Sequence, residues 1–519
     1  MHHHYPCFRT LTSRFRFHLL DDCISTTSTS SFTTTTTTTT TTVSKNTMNS
    51  TNSNNTLNHQ AFILDTSIPS IARAAERIQQ GSLVSFPTET VYGLGCNALD
   101  PTAIEKVFRA KERPLTDPLI LHVYPPTDAW SLWQAFHTPT TTTGEEYENY
   151  NNRIPTSYEK QVLTILTQAF WPGPLTLVAK AASHIPSIVM ANTGYVACRS
   201  PSHPIAQSLI QQAHVPIAAP SANKFGHVSP TIAQHVWDDL HMEDVWILDP
   251  LLHLNTTTAT LHENQQKIQQ QQDEEDMNDQ VSIVCNVGVE STVAKIEMYH
   301  NNNNSNNNKD NTSYVGRILI LRHGAISAQD IQRCLYLTQL DTSFEVLDNM
   351  MQSTKNDVHH VAPGQCIKHY SPNVPSFMMD TRNLLSSLLQ KEDGGGFIIV
   401  LDEEDRKRLQ SSVIIDFGSQ LVMFKEYVLA YRDLSIHGDA VLASSRVFSL
   451  LRWSEQVSGA QQVLFPRFSL SSDKDSKNHK NNNPQPLLQA LIDRLTRAAS
   501  GNVISSLKEL KNVDMNGSI

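Results

Sequence analysis

The chain has 519 residues, 39% of them hydrophobic and 17% charged, with a formal net charge of −10. That length exceeds one ordinary domain of ~100–200 residues, and the acidic balance excludes a surface that is basic throughout and grips nucleic acid everywhere. Seven cysteines stand scattered without a CxxC pair, which excludes a zinc-ribbon site and points to the reducing cytoplasm, and no apolar run reaches the ~18 residues of a membrane span.

Residues 1–60 read as a low-complexity leader, too rich in Ser, Thr and Asn to bury a core. Arg9, Arg14 and Arg16 resemble a mitochondrial presequence, but Asp21 and Asp22 interrupt it; an additional mitochondrial form and a plain tail both fit. From residue 68 the pattern alternates. Ile71 to Ile78 has helical spacing, and Leu83–Phe86 reads as a strand. The run Pro87-Thr88-Glu89-Thr90-Val91-Tyr92-Gly93-Leu94-Gly95 follows. It reads as a hydroxyl- and glycine-rich turn in which Gly93 and Gly95 admit a ligand that a Cβ would block. A helix from Pro101 to Lys111 carries Asp100 as its N-cap.

Leu119–Val123, Leu175–Ala179, Val196–Arg199, Pro216–Ala219, Val245–Leu248, Ser291–Ile296 and Arg317–Leu321 read as strands. Tyr158–Phe170 and Pro204–Gln212 read as helices, and Ser229-Pro230 is expected to cap a third running to Leu240. Ser327 with Asp330 forms a capping box. Polar insertions fall near 263–280 and 299–312, and residues 338–374 are too polar and too long for an ordinary connector. A second alternating block follows, with strands expected at Phe397–Leu401, Val413–Asp416 and Ala440–Ala443 and helices near 383–391, 444–457 and 486–499. The class is α/β without a regular βαβ repeat.

Several groups could carry chemistry. Lys111 and Arg113 precede Pro114. They are either a solvated pair complementing the helix dipole or, beside the PTETVYGLG turn, a clamp over phosphates. Arg199 at a strand end could fork onto a carboxylate or form a surface ion pair. Ser221 and Asn223 follow a buried strand, where a ligand or a plain Asx turn are alternatives. Trp171-Pro172-Gly173 reads as a stiff structural turn.

PTETVYGLG, KERP, PLILHV, WPGPLTLV, VACRSP, PSAN followed by SPT, GVESTV, LRHGAIS and APGQCIKHYSP stand in this order. Together they resemble the YrdC family in its two-domain form, the threonylcarbamoyl-AMP synthases. The resemblance covers about residues 68–337 strongly. It implies a YrdC-like twisted open sheet with flanking helices over 61–337. A linker or lid over 338–374 would join it to a smaller Rossmann-like α/β domain over 375–519.

The resemblance further implies that L-threonine, bicarbonate or CO2, and ATP with Mg2+ give threonylcarbamoyl-adenylate and pyrophosphate. The product would pass to a KEOPS-type tRNA threonylcarbamoyl-transferase complex, which modifies the adenosine beside the anticodon, with at most weak contact between this chain and tRNA. By motif position, Lys111 and Arg113 would be catalytic, and Thr90, His122, Arg199, Ser221 and Ser291 would bind threonine. Arg113, Asp117, Tyr195, Asn223, Thr231 (or Ser229), Arg322 and Tyr370 would bind ATP, with Lys368 and His369 beside Tyr370 in the lid. No resident metal site is implied.

Two positions depart from the family pattern. Asp117 replaces the usual Asn, and a carboxylate near phosphates repels unless it binds Mg2+ or faces away. Gln365-Cys366-Ile367 replaces a Met-aromatic pattern in the lid. The competing expectations are a non-catalytic RNA-binding module with strongly salt-dependent affinity and a carbamoyl-adenylate enzyme of hydrogenase maturation. The missing CxxC pairs rank the latter last.

Overall fold

The computed structural model describes residues 60–137, 156–252, 284–299, 314–348, 370–391, 397–467 and 486–510. The leader, both polar insertions, residues 349–369 with Lys368 and His369, and the Lys/Asn segment near 473–483 lie outside them.

The first block builds one mixed sheet from β1 (Phe62–Leu64), β2 (Leu83–Phe86), β3 (Gly93–Asn97), β4 (Ile120–His122), β5 (Leu175–Lys180), β6 (Tyr195–Arg199), β7 (Ile217–Ala218), β8 (Val245–Leu248), β9 (Thr292–Met298), β10 (Gly316–Arg322) and β11 (Phe344–Asp348). Their spatial order is β1-β8-β2-β3-β7-β4-β6-β5-β9-β10-β11. β2 and β3 form an antiparallel pair in which Phe86 faces Gly93, so residues 87–92 bridge two neighbouring strands.

Helices cover both faces. α1 (Ile68–Gln79) buries Ile71, Ala74, Ala75 and Ile78, one stripe at helical spacing. With α4 (Pro204–Ala213) it packs on Val84, Phe86 and Ala219. α2 (Pro101–Lys111), α3 (Thr156–Phe170), α5 (Ala233–Leu240) and α6 (Ala328–Leu337) supply Ile104, Leu166, Val236 and Ile331 to the core on the other face. Asp100 caps α2 by accepting from the Thr102 N–H, and Ser327 and Asp330 close both bonds of the capping box on α6.

The second block has a five-stranded parallel sheet of order β16-β15-β17-β12-β18. Its strands are β12 (Ser376–Met379), β15 (Ser412–Asp416), β16 (Ala430–Asp433), β17 (Gln462–Pro466) and β18 (Val503–Ile504), and β13 (Leu389–Lys391) pairs antiparallel with β14 (Phe397–Ile399) in a separate sheet. Its helices are α7 (Thr381–Leu388), α8 (Glu403–Gln410), α9 (Ala440–Gln456) and α10 (Pro486–Ala498). Its core reaches across to the first block, where Val91, Val228 and Val289 pack with Tyr370, Val447 and Phe448. Gly288 permits that approach: it has φ +71°, and a Cβ there would fall against the Ser445 backbone and 2.5 Å from the Ser444 carbonyl oxygen.

Four expectations need correction. Gly93 and Gly95 are strand residues, not turn residues; a Cβ on Gly95 would lie 2.7 Å from both Ile217 and Phe86, so strand packing requires that glycine. Ser229 does not cap α5, which starts at Ala233 with Ile232 at the N-cap; its hydroxyl donates to Glu290 instead. Ala440–Ala443 is the first turn of α9, where Asp439 accepts from the Val441 and Leu442 N–H groups. The stretch read as linker from 338 begins with β11, which pairs in parallel with β10 along Gly316–Ile320.

Candidate active site

The loop after β2, the chain after α2, the ends of β4, β6, β7 and β10 and the start of β9 meet in one hollow. Thr88, Thr90, Arg113, His122, Arg199, Ser221, Glu290, Ser291, Arg322 and Tyr370 line it. Ile120 and His122 both line it; two residues apart on one strand, they point to the same face of the sheet. β7 runs antiparallel to β4 and also contributes. The hollow therefore lies across a sheet face, not beyond a carboxyl edge as expected for Ser221.

The threonine loop sets Arg199. Thr88 Oγ1 donates to the Val91 carbonyl (2.6 Å) and stands 2.9 Å from Thr90 Oγ1. Its single proton is thus committed, so Thr90 donates to Thr88 and accepts from Arg199 Nη1 at 2.9 Å. Arg199 Nη2 lies 2.6 Å from Glu89 Oε1, and Nε donates to the Gly173 carbonyl. Each Nη keeps one further N–H, enough for a two-pronged grip on a carboxylate. Facing it, His122 is held down to about 3 by burial and by Arg199, so its ring is neutral, and its Nδ1 has no hydrogen-bond partner among the described residues.

Arg113 leaves α2 through Glu112, whose left-handed conformation (φ 56°) turns the chain inward. Its Nη2 pairs with Asp117 at 2.9 Å, and it donates to the Asp117 and Pro118 carbonyls. Asp117 thus buttresses Arg113 from outside the cavity lining, which meets the electrostatic objection to a carboxylate there. Arg322 donates to the Ser291 carbonyl (3.0 Å) and Oγ (3.1 Å). No carboxylate lies within ion-pair distance of it among the described residues.

Lys111, Asp117, Tyr195, Asn223 and Thr231 are absent from the described lining. Lys111 is buried behind it, its Nζ bonded to the Ser221 (2.5 Å) and Asn223 carbonyls; burial, then Arg113, pulls its ammonium well below the usual lysine range. Asn223 Nδ2 ties the Lys224 and His227 carbonyls, while its Oδ1 is buried without a partner among the described residues. The Tyr195 ring lies 4.1 Å from Lys295 Nζ, and Thr231 Oγ1 meets His235 and Ser449 at the seam with the second block.

Sequence reasoning missed Glu89, Gly173 and Glu290. In Thr-Glu-Thr the two hydroxyls are conspicuous, yet the residue between them neutralises Arg199. Glu290 accepts from Ser229 Oγ (2.5 Å) and from Arg494 Nε (2.8 Å).

Residues 76–268 match the family model Sua5/YciO/YrdC, described as telomere recombination, and residues 326–500 match one described as threonylcarbamoyl-AMP synthase, C-terminal domain. A threonylcarbamoyl-AMP synthase of Hydrogenovibrio crunogenus is 31% identical over 157 residues, 30% of this chain and 74% of that protein. The chain belongs to the Sua5/YciO/YrdC family. Threonylcarbamoyl-AMP synthases of Pyrococcus abyssi (42% identical over 176 residues, 34% of this chain and 45% of that one) and Schizosaccharomyces pombe (32% over 295 residues, 56% and 58%) are similar to it. The aligned part spans about half the length of each of these two relatives. The fold matches both blocks of the family: a doubly substituted P. abyssi Sua5 aligns with TM-score 0.57 at 24% identity, covering 86% of this chain and 98% of that one. Among the described residues no helix is long and apolar enough to cross a membrane.

Proposed function

We propose that the cavity makes threonylcarbamoyl-AMP from L-threonine, bicarbonate or CO2, and ATP, releasing pyrophosphate as a nucleotidyltransferase does. One observation carries this reading: Arg113, Arg199 and Arg322 share a single hollow with Thr90, His122, Ser221 and Ser291. Support also comes from the names of the family relatives and from a P. abyssi Sua5 structure described as complexed with L-threonine.

Arg199 holds the amino-acid carboxylate on its two remaining N–H groups. His122, with a neutral ring and an unpartnered Nδ1, exchanges a hydrogen bond with the amine or the side-chain hydroxyl, while Thr90, Ser221 and Ser291 complete the amino-acid side. Once the amine has captured CO2, the carbamate oxygen attacks the α-phosphate in line. Arg113 and Arg322 stabilise the charge that develops on the phosphates, so catalysis is mainly orientation and electrostatics. Mg2+ arrives on the ATP phosphates as part of the substrate.

Tyr370 closes the nucleotide side and limits water, which would otherwise destroy the carbamate. In place of a direct hold on phosphates, Lys111 supports the site by fixing the Ser221 and Asn223 carbonyls, and Asp117 by aligning Arg113. Asn223, Thr231 and Tyr195 remain proposed nucleotide contacts, although none of them is in the described lining of the hollow. The adenylate then goes to a KEOPS-type transferase acting on tRNA beside the anticodon, with at most weak contact between this chain and tRNA. The cytoplasm is the proposed site of action, with an additional mitochondrial form open. The domain division proposed is a catalytic block from 61 that extends past 337 to include β11 (Phe344–Asp348), a C-terminal domain over 375–519, and a lid between them.

The test is pyrophosphate release by the full chain supplied with MgATP and bicarbonate, with and without L-threonine. Release that requires threonine is expected. Salt-sensitive RNA binding with no turnover would favour the binding-module reading instead.

A further inference from the structure

We propose that Arg494 is a positioning residue through which the C-terminal domain completes the nucleotide side of the cavity. Arg494 stands on α10, and its side chain is fully buried against the first block. Its Nε donates to Glu290 Oε2 (2.8 Å), its Nη2 to the His323 carbonyl (2.9 Å), and its Nη1 to Asp493 Oδ2 (2.6 Å). Its guanidinium carbon lies 5.2 Å from the centre of the Tyr370 ring. Glu290 and Tyr370 line the cavity, and His323 follows Arg322, which also lines it. One side chain from the second domain therefore touches three separate stretches of the wall.

The chemistry of the site requires such a group. Glu290 is the carboxylate among the described lining residues, and unpaired it would repel a triphosphate. Arg494 neutralises it from behind without entering the cavity. The planar guanidinium does what an ammonium cannot: it bonds a carboxylate on one edge and a carbonyl on the other while its face meets an aromatic ring. Gly324 then packs on the backbone of Glu290, Ser291 and Thr292, so a shift at His323 reaches Arg322 and Ser291 together. Of the residues proposed for the amino-acid side, Ser291 neighbours this network, whereas Thr90, His122, Arg199 and Ser221 make none of these bonds.

The inference rests on the synthase reading, and the test separates the two. Arg494→Lys keeps the charge and loses the fork. Arg452→Lys is the comparison, because Arg452 also crosses between the domains, bonding Asp239 and the Val228 carbonyl away from the cavity lining.

With R494K, turnover falls roughly tenfold to a hundredfold, the loss of one or two charge-assisted hydrogen bonds, and the KM for ATP rises. The threonine Kd measured by calorimetry stays within about threefold, a change worth less than ~1 kcal/mol. Glu290→Gln gives the same split with a smaller loss, which covers the case of an unfolded R494K. Amide exchange at Glu290, Ser291, His323 and Gly324 accelerates in R494K and not in R452K.

Wild-type turnover by R494K, a threonine Kd that worsens in step with the rate, or an equal effect of R452K would overturn the proposal. If the wild type releases no threonine-dependent pyrophosphate, the synthase reading fails. The exchange experiment then decides alone: selective acceleration in R494K supports the positioning role, and its absence refutes it.

Discussion

The cavity and the cleft between the two domains are both dense in charge, yet they handle it differently. In the cleft, His227 lies between Asp239 (2.9 Å) and Glu455 (3.0 Å), and Arg452 closes on the same Asp239. Cation and anion are matched, and the network joins α5 to α9. In the cavity, Arg113 and Arg199 have acids behind them, but Arg322 meets a carbonyl and a hydroxyl. Buried charge that is fully paired holds a structure in register; buried positive charge left short of acid makes a site for anions. The cleft is thus read as a fastener and the cavity as a receptor.

Breaking the cavity should have the largest consequences. Arg199→Met removes the proposed carboxylate grip and strands Glu89, so we expect a stability loss of about 3–5 kcal/mol, as for other broken buried pairs. Threonine-dependent turnover by the surviving folded protein should be abolished. Denaturant titration and pyrophosphate release measure the two effects. Arg322→Met leaves no acid unpaired. It should cost little stability but raise the KM for ATP ~10- to 100-fold, by loss of charge-assisted bonds, with threonine binding by calorimetry changed far less, through Ser291 alone. An equal fall in threonine affinity would blur the division of the cavity into two sides.

Breaking the cleft should cost stability before chemistry. Gly288→Ala puts a methyl against Ser445 and Ser444 at a positive φ, an overpacking cost of about 1–3 kcal/mol. The denaturant midpoint should fall while the threonine Kd is kept.

The last effect expected is a pH dependence, which leaves stability near neutral pH almost unchanged. Burial alone would lower the His227 pKa, but hydrogen bonds to Asp239 and Glu455 raise it from 6.5 to about 9. Arg452 opposes them, and Lys224 approaches Asp239 through its backbone N–H. The folded value exceeds the unfolded one, so the contribution is complete below pH 6.5 and is lost as pH rises through about 9. Stability measured from pH 6 to 10 should decline in the wild type by a few kcal/mol at most, and less steeply in His227→Gln.

How much of this was legible in the sequence follows the same division. α1, α2, β5, β6 and the Ser327 capping box were readable because local spacing and a local cap determine them. Motifs pointed to Thr90, Arg113, His122, Arg199, Ser221, Ser291, Arg322 and Tyr370, which share the cavity lining, but not to Glu290, and Lys111, Asp117, Tyr195, Asn223 and Thr231 are absent from that lining. Gly95 was misread because its constraint is a neighbouring strand, Ile217, far along the chain. Ala440–Ala443 looked like a strand because four consecutive apolar residues fit either period, and the deciding cap is Asp439. β11 was hidden in polar sequence because, among the described residues, β10 alone pairs with it. Arg494 carried no local signal, since its partners Glu290, His323 and Tyr370 belong to other elements.

The most direct measurement supplies 13C-labelled bicarbonate with L-threonine and MgATP and follows the nucleotide products by mass spectrometry. The account predicts an AMP adduct that contains threonine and one labelled carbon, formed in step with pyrophosphate. Pyrophosphate or ADP formed without that labelled adduct would contradict it.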